Sequence, residues 1–182
     1  MTVFDSESSL YVPSADAGRE QRIKVLGELG LGGPDPQFDA FAADLAREAG
    51  LPYGMVNLFK DRQVFAGLYC SPEGDFPEVD RTMPLDHGYC PATIEREAPL
   101  VLPDVLDSPR FASNPVVDKI GIRTYAGAKL VHEPTGTVLG TVCVVGTVEL
   151  PRETGQPMLA LIKARRDALM ELIYQRTGHV PQ

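Results

Sequence analysis

Hydrophobic positions along the chain change period several times, and each change marks an element. From Gly18, the residues Ile23, Leu26 and Leu29 recur at helical spacing until Gly30-Leu31-Gly32-Gly33-Pro34 breaks the pattern. A second helix begins at Asp35 or Gln37, buries Phe38, Phe41, Ala42, Leu45 and Ala49, and stops at Gly50. Strands are expected at about Gly54 to Lys60 and Gln63 to Tyr69, joined by the tight turn Lys60-Asp61-Arg62. The stretch from Cys70 to Asp86 carries Pro72, Gly74, Pro77 and Pro84 and reads as a flap over one face of a sheet. Cys90-Pro91 opens a short helix to about Glu97, because proline at the first helical position forfeits no intrahelical donor, and Leu100 to Leu102 make a brief strand.

Pro109 and Pro115 bracket a loop in which Arg110, Phe111 and Asn114 stand outside any regular ladder. From Ile122 the period falls to two. Ile122, Thr124, Ala126, Ala128 and Leu130 share one face, and Arg123, Tyr125, Gly127, Lys129 and Val131 share the other. Glu133-Pro134-Thr135-Gly136 then turns the chain into the Val- and Thr-rich run Thr137 to Val145, giving an antiparallel hairpin. Gly127 and Gly140 leave room beside that sheet. A terminal helix of about 20 residues carries Met158, Leu161, Ile162, Leu169, Leu172 and Ile173 on one side. The pattern is that of an α+β domain over residues 17–178, with a polar flexible lead-in at 1–16 and a tail at 179–182. The terminal helix, paired with the helix from Arg19 to Leu29, offers more apolar surface than one small sheet covers, so dimerisation through a helical bundle is expected.

Composition narrows the function classes. The 182 residues are 43% hydrophobic and 23% charged, ordinary for a globular protein. No apolar run approaches the roughly 18 residues that span a bilayer, and the N-terminus has neither the basic start nor the apolar core of a signal peptide, so the expected location is the cytoplasm. A net charge of −8 with scattered Lys and Arg opposes binding to nucleic acid or to anionic membranes. Cys70, Cys90 and Cys143 are odd in number and widely spaced, which suits reduced thiols better than a disulfide framework or a zinc site.

Cys90 is the reactive candidate, since a thiol at a helix N-terminus meets exposed N–H groups that favour thiolate; the competing reading makes it a small buried apolar residue. Cys70, across the flap, is the candidate resolving thiol, and Cys143 reads as core. Arg110, Arg123 and Tyr125 could grip an anionic ligand, or Asp104 and Asp107 could pair with the arginines and only pin the loop. Tyr89 and Tyr125 belong at a pocket wall, where a phenol offers an apolar body and a polar tip, and a collapsed pocket would be filled by Phe111, Tyr125 and Tyr89. Asp80, Asp86, His87, Asp104 and Asp107 lie on shared loops, but no spacing among them selects for a metal.

The order of these motifs resembles the GAF domain family of small-molecule sensor modules. It is carried by Pro84, Leu85 and Cys90; by Pro99, Leu100, Val101 and Asp104; by Arg110, Phe111, Asn114 and Pro115; by the strand Ile122 to Ala128; and by Gly140, Thr141, Cys143 and Val144. The resemblance implies a central antiparallel sheet of about five or six strands, related to the PAS fold. Terminal helices would cover one face, with short helices and long loops over a pocket on the other. It also implies a stand-alone bacterial module acting in signal transduction, with an unidentified small-molecule ligand, a homodimer mate and a signalling protein as candidate partners. Tyr89, Cys90, Asp104, Phe111, Arg123 and Tyr125 would line the ligand site. The alternative is a thiol-based redox sensor or reductase using Cys90, with Cys70. Family members that reduce free methionine sulfoxide carry a cysteine where this chain has Asp107 to Ala112, none of them cysteine. In bilin-binding members a histidine often follows the linking cysteine, whereas Pro91 follows Cys90, and the N-K-x-F-D-E signature of cyclic-nucleotide binders is missing. The resemblance leaves the cofactor unknown.

Overall fold

The computed structural model describes residues 18–178 and the backbone of 2–5 and 10–13. The elements are β1 (Thr2–Asp5), β2 (Leu10–Pro13), α1 (Arg19–Glu28), α2 (Pro36–Ala49), β3 (Tyr53–Phe59), β4 (Gln63–Cys70), β5 (Thr82–Met83) and α3 (Cys90–Ile94). They continue as β6 (Leu100–Leu102), α4 (Pro109–Ala112), α5 (Pro115–Ile120), β7 (Thr124–His132), β8 (Thr137–Gly146) and α6 (Gly155–Thr177). Strands β1 and β2 pair within the expected lead-in; its other residues and the expected tail at 179–182 lie outside the described residues.

Strands β3 to β8 form one antiparallel sheet in the order β5-β4-β3-β8-β7-β6. Helix α2 is fixed at both ends, by the Asp35 carboxylate accepting from Gln37 N at 2.8 Å and by Gly50 in the left-handed region at φ 65°. It lies against β3 and β4 so closely that a Cβ at Gly54 would sit 2.1 Å from the Ala42 carbonyl, and one at Gly67 2.3 Å from that of Phe38. Helix α1 covers β8, and α6 covers β7 and β6. Leu26, Phe38, Leu45, Val56, Ile162 and Leu169 typify the core between these helices and the sheet.

Several local expectations change. Ile23 is 42% exposed, because α1 turns Arg22, Val25 and Leu26 inward instead. The stem of Arg22 lies in the core while its Nε donates to the Val138 carbonyl at 2.6 Å, so a cation takes an inward position by capping a strand end. In α6, Met170 and Tyr174 are buried and Leu161 and Leu172 only partly so. The Tyr174 hydroxyl reaches the β7–β8 turn, where it accepts from Glu133 N at 3.0 Å. The room expected beside Gly127 is filled by the ring of Tyr125, whose hydroxyl lies 2.1 Å from where a Cβ would stand, and beside Gly140 the β3 backbone itself closes in. The segment between the two prolines is helical, each proline starting a short helix. Among the described residues no helix is long and apolar enough to cross a membrane.

Candidate functional site

The face of the sheet turned away from α1, α2 and α6 is covered by irregular chain, and side chains hold that chain in place. Tyr53 and Met55 of β3, Phe65 of β4, Tyr125 of β7, and Cys143 of β8 point into it, and Tyr89, Cys90 and Val116 close over them. The flap is tied down at its base, where Arg81 donates to both oxygens of Asp39 at 2.7 and 2.9 Å while Asp39 Oδ1 also accepts from Leu68 N at 2.8 Å. That guanidinium holds the Asp39 carboxyl below its ordinary value. The Tyr53 hydroxyl donates to the Pro77 carbonyl at 2.8 Å, and burial pushes its pKa up to about 12. On the far side Asn114 grips Gly88, donating to its carbonyl at 2.8 Å and accepting from its N–H at 3.0 Å, while its Oδ1 also caps α5 at Val116 N.

A seam of buried polar side chains crosses this apolar face. Gln63 Nε2 donates to the carbonyls of Pro84 and His87 at 2.6 and 2.7 Å, which leaves its Oε1 to accept from Asn57 Nδ2 at 2.7 Å. That chain of bonds orients the amide, so Asn57 Oδ1 points onward along the seam. Thr93 Oγ1 lies 2.8 Å from the Tyr125 hydroxyl and 2.9 Å from the Tyr89 carbonyl, and when its single proton goes to Tyr125 the phenol proton is left for Cys90. Tyr89 packs against Tyr125 and Phe111 at ring-centroid distances of 5.3 and 5.8 Å. Between these groups, Asn57 Oδ1 and Thr141 Oγ1 are buried without a completed hydrogen bond. A buried polar atom left in that state costs about 1–3 kcal/mol, so its neighbourhood is where an incoming polar group gains most.

The two buried thiols meet at the centre of the seam, with Cys90 Sγ 3.8 Å from Cys143 Sγ and Tyr125 Oη donating to Cys90 Sγ at 3.5 Å. The contact with Cys143, with the Thr141 and Tyr125 hydroxyls beside the sulfur, draws the Cys90 thiol below its ordinary value against the opposing effect of burial. Cys143 is pushed up by the sulfur it donates to and by burial. The hydrogen bonds, rather than a helix terminus, do this, since α3 is only five residues long.

Of the residues expected at the site, Tyr89, Cys90, Phe111 and Tyr125 come together. Asp104 and Arg123 stand apart from them, bonded to each other at 3.0 and 2.7 Å where β7 begins, with Glu149 also 3.3 Å from Arg123. Cys70 is half-buried beside Tyr53, to whose strand position it pairs, and burial raises its pKa. The thiol that meets Cys90 is therefore Cys143, from the centre of the sheet. The guanidinium of Arg110 lies over the Phe111 ring at 5.4 Å. Among the described residues no three His, Cys, Asp or Glu side chains converge as metal ligands. Gln63, Asn57, Thr93 and Thr141 were missed, although Asn57 shares its face of β3 with Tyr53 and Met55, and a polar residue at an inward position of an apolar strand is a readable signal.

A family model described as GAF domain matches residues 33–164. No curated protein matches the chain by sequence. Among solved structures, the chain is similar to a type II free methionine-R-sulfoxide reductase from Thermoplasma acidophilum (10% identity, TM-score 0.57, covering 76% of this chain and 91% of that one). It is also similar to the GAF domain of an Acinetobacter phosphoenolpyruvate-protein phosphotransferase (13%, 0.55, covering 88% and 96%). A third is the blue-light absorbing form of the Thermosynechococcus elongatus PixJ GAF domain (10%, 0.54, covering 89% and 95%).

Proposed function

Because the chain belongs to the GAF domain family, whose members are sensory and regulatory modules, we propose that it is a non-catalytic sensor that binds a small molecule between the sheet and the segment 84–121. The observation that carries this reading is the pair of buried, incompletely bonded atoms Asn57 Oδ1 and Thr141 Oγ1, set in an apolar wall under loops held by side-chain bonds. A ligand of modest size, presenting one donor and one further polar group, would displace part of the Tyr89, Phe111 and Tyr125 cluster and complete both atoms. Loop ordering around it would then pass through α3 and the hairpin β7–β8 to the terminal helices.

In this reading the module works in the bacterial cytoplasm as a homodimer through α1 and α6, where Ile23 offers an exposed apolar contact. Native mass spectrometry with absorbance from freshly purified protein, followed by thermal shift against metabolite pools, tests the binding. An added mass or a stabilising pool lost in Asn57→Leu/Thr141→Val supports it; a bare polypeptide unmoved by any pool overturns it. Light scattering reads the assembly separately, and a strictly monomeric particle at high micromolar concentration would end the dimer reading.

A further inference from the structure

We propose that Cys90 and Cys143 form a thiol–disulfide redox centre that is oxidised by small hydroperoxides, with Cys90 the attacking sulfur and Cys143 the resolving one. It needs no bound ligand and stands or falls apart from the sensor reading.

Three features of the fold carry it. The sulfurs lie 3.8 Å apart, in contact across the seam, and no other thiol approaches either one among the described residues. A disulfide needs them at about 2.05 Å, so closure asks for a movement of less than 2 Å. That movement falls on α3, whose five residues sit on loops, rather than on the central strand β8. Finally, the groups around Cys90 suit a thiolate: the Tyr125 hydroxyl donates to its sulfur, and the buried Thr141 hydroxyl has no other hydrogen-bond partner. Cys143, fixed on the central strand β8 with its sulfur against that of Cys90, is placed as the second nucleophile.

The chemistry balances with hydrogen peroxide as the oxidant. The Cys90 thiolate attacks one peroxide oxygen, the O–O bond breaks, and the hydroxide released is protonated to water, leaving Cys90 as a sulfenic acid. The Cys143 sulfur then attacks the sulfenic sulfur and gives up its proton, the S–O bond breaks, and a second water leaves as the S–S bond forms. Two electrons pass from the two sulfurs to one peroxide, and a thiol reductant returns the pair. Burial, with Cys90 5% and Cys143 0% exposed, restricts the reaction to oxidants of peroxide size and shields the sulfenic acid from bulkier thiols.

The test is disulfide mapping on the intact chain. Reduced protein is treated with hydrogen peroxide, alkylated, digested and read by tandem mass spectrometry. The expected product is a peptide pair linked through Cys90 and Cys143, a chain lighter by two hydrogens, and an alkylated Cys70; dithiothreitol reverses it. In Cys143→Ser the sulfenic acid has no partner, so the peptide map should show added oxygen at Cys90 and no linkage, whereas Cys70→Ser should oxidise like the wild type. A linkage that includes Cys70 overturns the proposal. So does recovery of both Cys90 and Cys143 as alkylated thiols after peroxide treatment of the native chain. If Cys143→Ser does not fold, the wild-type map alone decides.

Discussion

On the helix-covered face of the sheet the buried side chains are almost wholly hydrocarbon, Leu26, Leu45, Val56, Ala126, Ile162 and Leu169 among them. The loop-covered face instead buries Tyr53, Tyr89, Tyr125, Cys90 and Cys143, with Gln63, Asn57, Thr93 and Thr141 threaded between them. The first face is stabilised by area removed from water, which is non-directional and lost all at once. The second is held by side-chain bonds to loop carbonyls and amides, each contributing about 1 kcal/mol net and each exchangeable for a bond to water or ligand. One sheet thus carries a hydrocarbon-packed scaffold on one side and a polar seam with two buried thiols, held by exchangeable hydrogen bonds, on the other.

The largest effect should come from the helix face. Leu169→Ala empties a fully buried position and should cost about 3 kcal/mol in denaturant unfolding, while leaving peroxide mapping of Cys90 and Cys143 unchanged. A loss below about 1 kcal/mol would mean that α6 packs more loosely than the sheet face requires. On the loop face, Tyr125→Phe removes the hydroxyl that joins Thr93 and donates to Cys90. It should cost about 1–1.5 kcal/mol and slow peroxide oxidation of Cys90 at mildly acidic pH, because the thiolate loses a donor. Unchanged oxidation would show that the phenol does not tune the sulfur.

Asn114→Ala breaks both hydrogen bonds to Gly88 and uncaps α5, for a global cost of about 1 kcal/mol. Its sharper readout is hydrogen exchange, in which the Gly88 amide should lose protection while β3 and β8 keep theirs. The smallest effect belongs to Asp39→Asn. The pair with Arg81 is partly exposed, at 35% and 40% of the side chains, so solvent screening keeps its contribution below about 1 kcal/mol. Since the folded carboxyl titrates below its unfolded value, that contribution is present above about pH 4 and disappears as pH falls through the lower folded value. Wild type and variant should therefore differ at pH 7 in proteolysis of the flap 71–86 and converge in strong acid; a difference that persists there would assign the effect to something other than the charge.

The long periodic segments were legible from the residues alone. Helix α2 runs from its Asp35 cap to its Gly50 stop, and the β7–β8 hairpin turns at residues 133–136, as the pattern expects. These elements are fixed locally, by caps, turns and the period of apolar positions. The misreadings fall where one residue's surroundings decide. Arg22 displaces Ile23 from the core because a strand carbonyl waits for its guanidinium, and Tyr125 occupies the space that Gly127 opens. At the site, the sequence placed Tyr89, Cys90, Phe111 and Tyr125 on one pocket wall, and the structure does bring them together. It offered no means of pairing Cys90 with Cys143.

The sequence by itself determined an α+β module with helices on one side of an antiparallel sheet, since hydrophobic period and turn chemistry act over short distances along the chain. Only the tertiary structure decided which of the three cysteines meet, which way the Asn57 amide faces, and that Asp104 and Arg123 pair with each other. Each of those outcomes depends on contacts between residues far apart in sequence, and a strand's period records which face a side chain is on but not what lies opposite it.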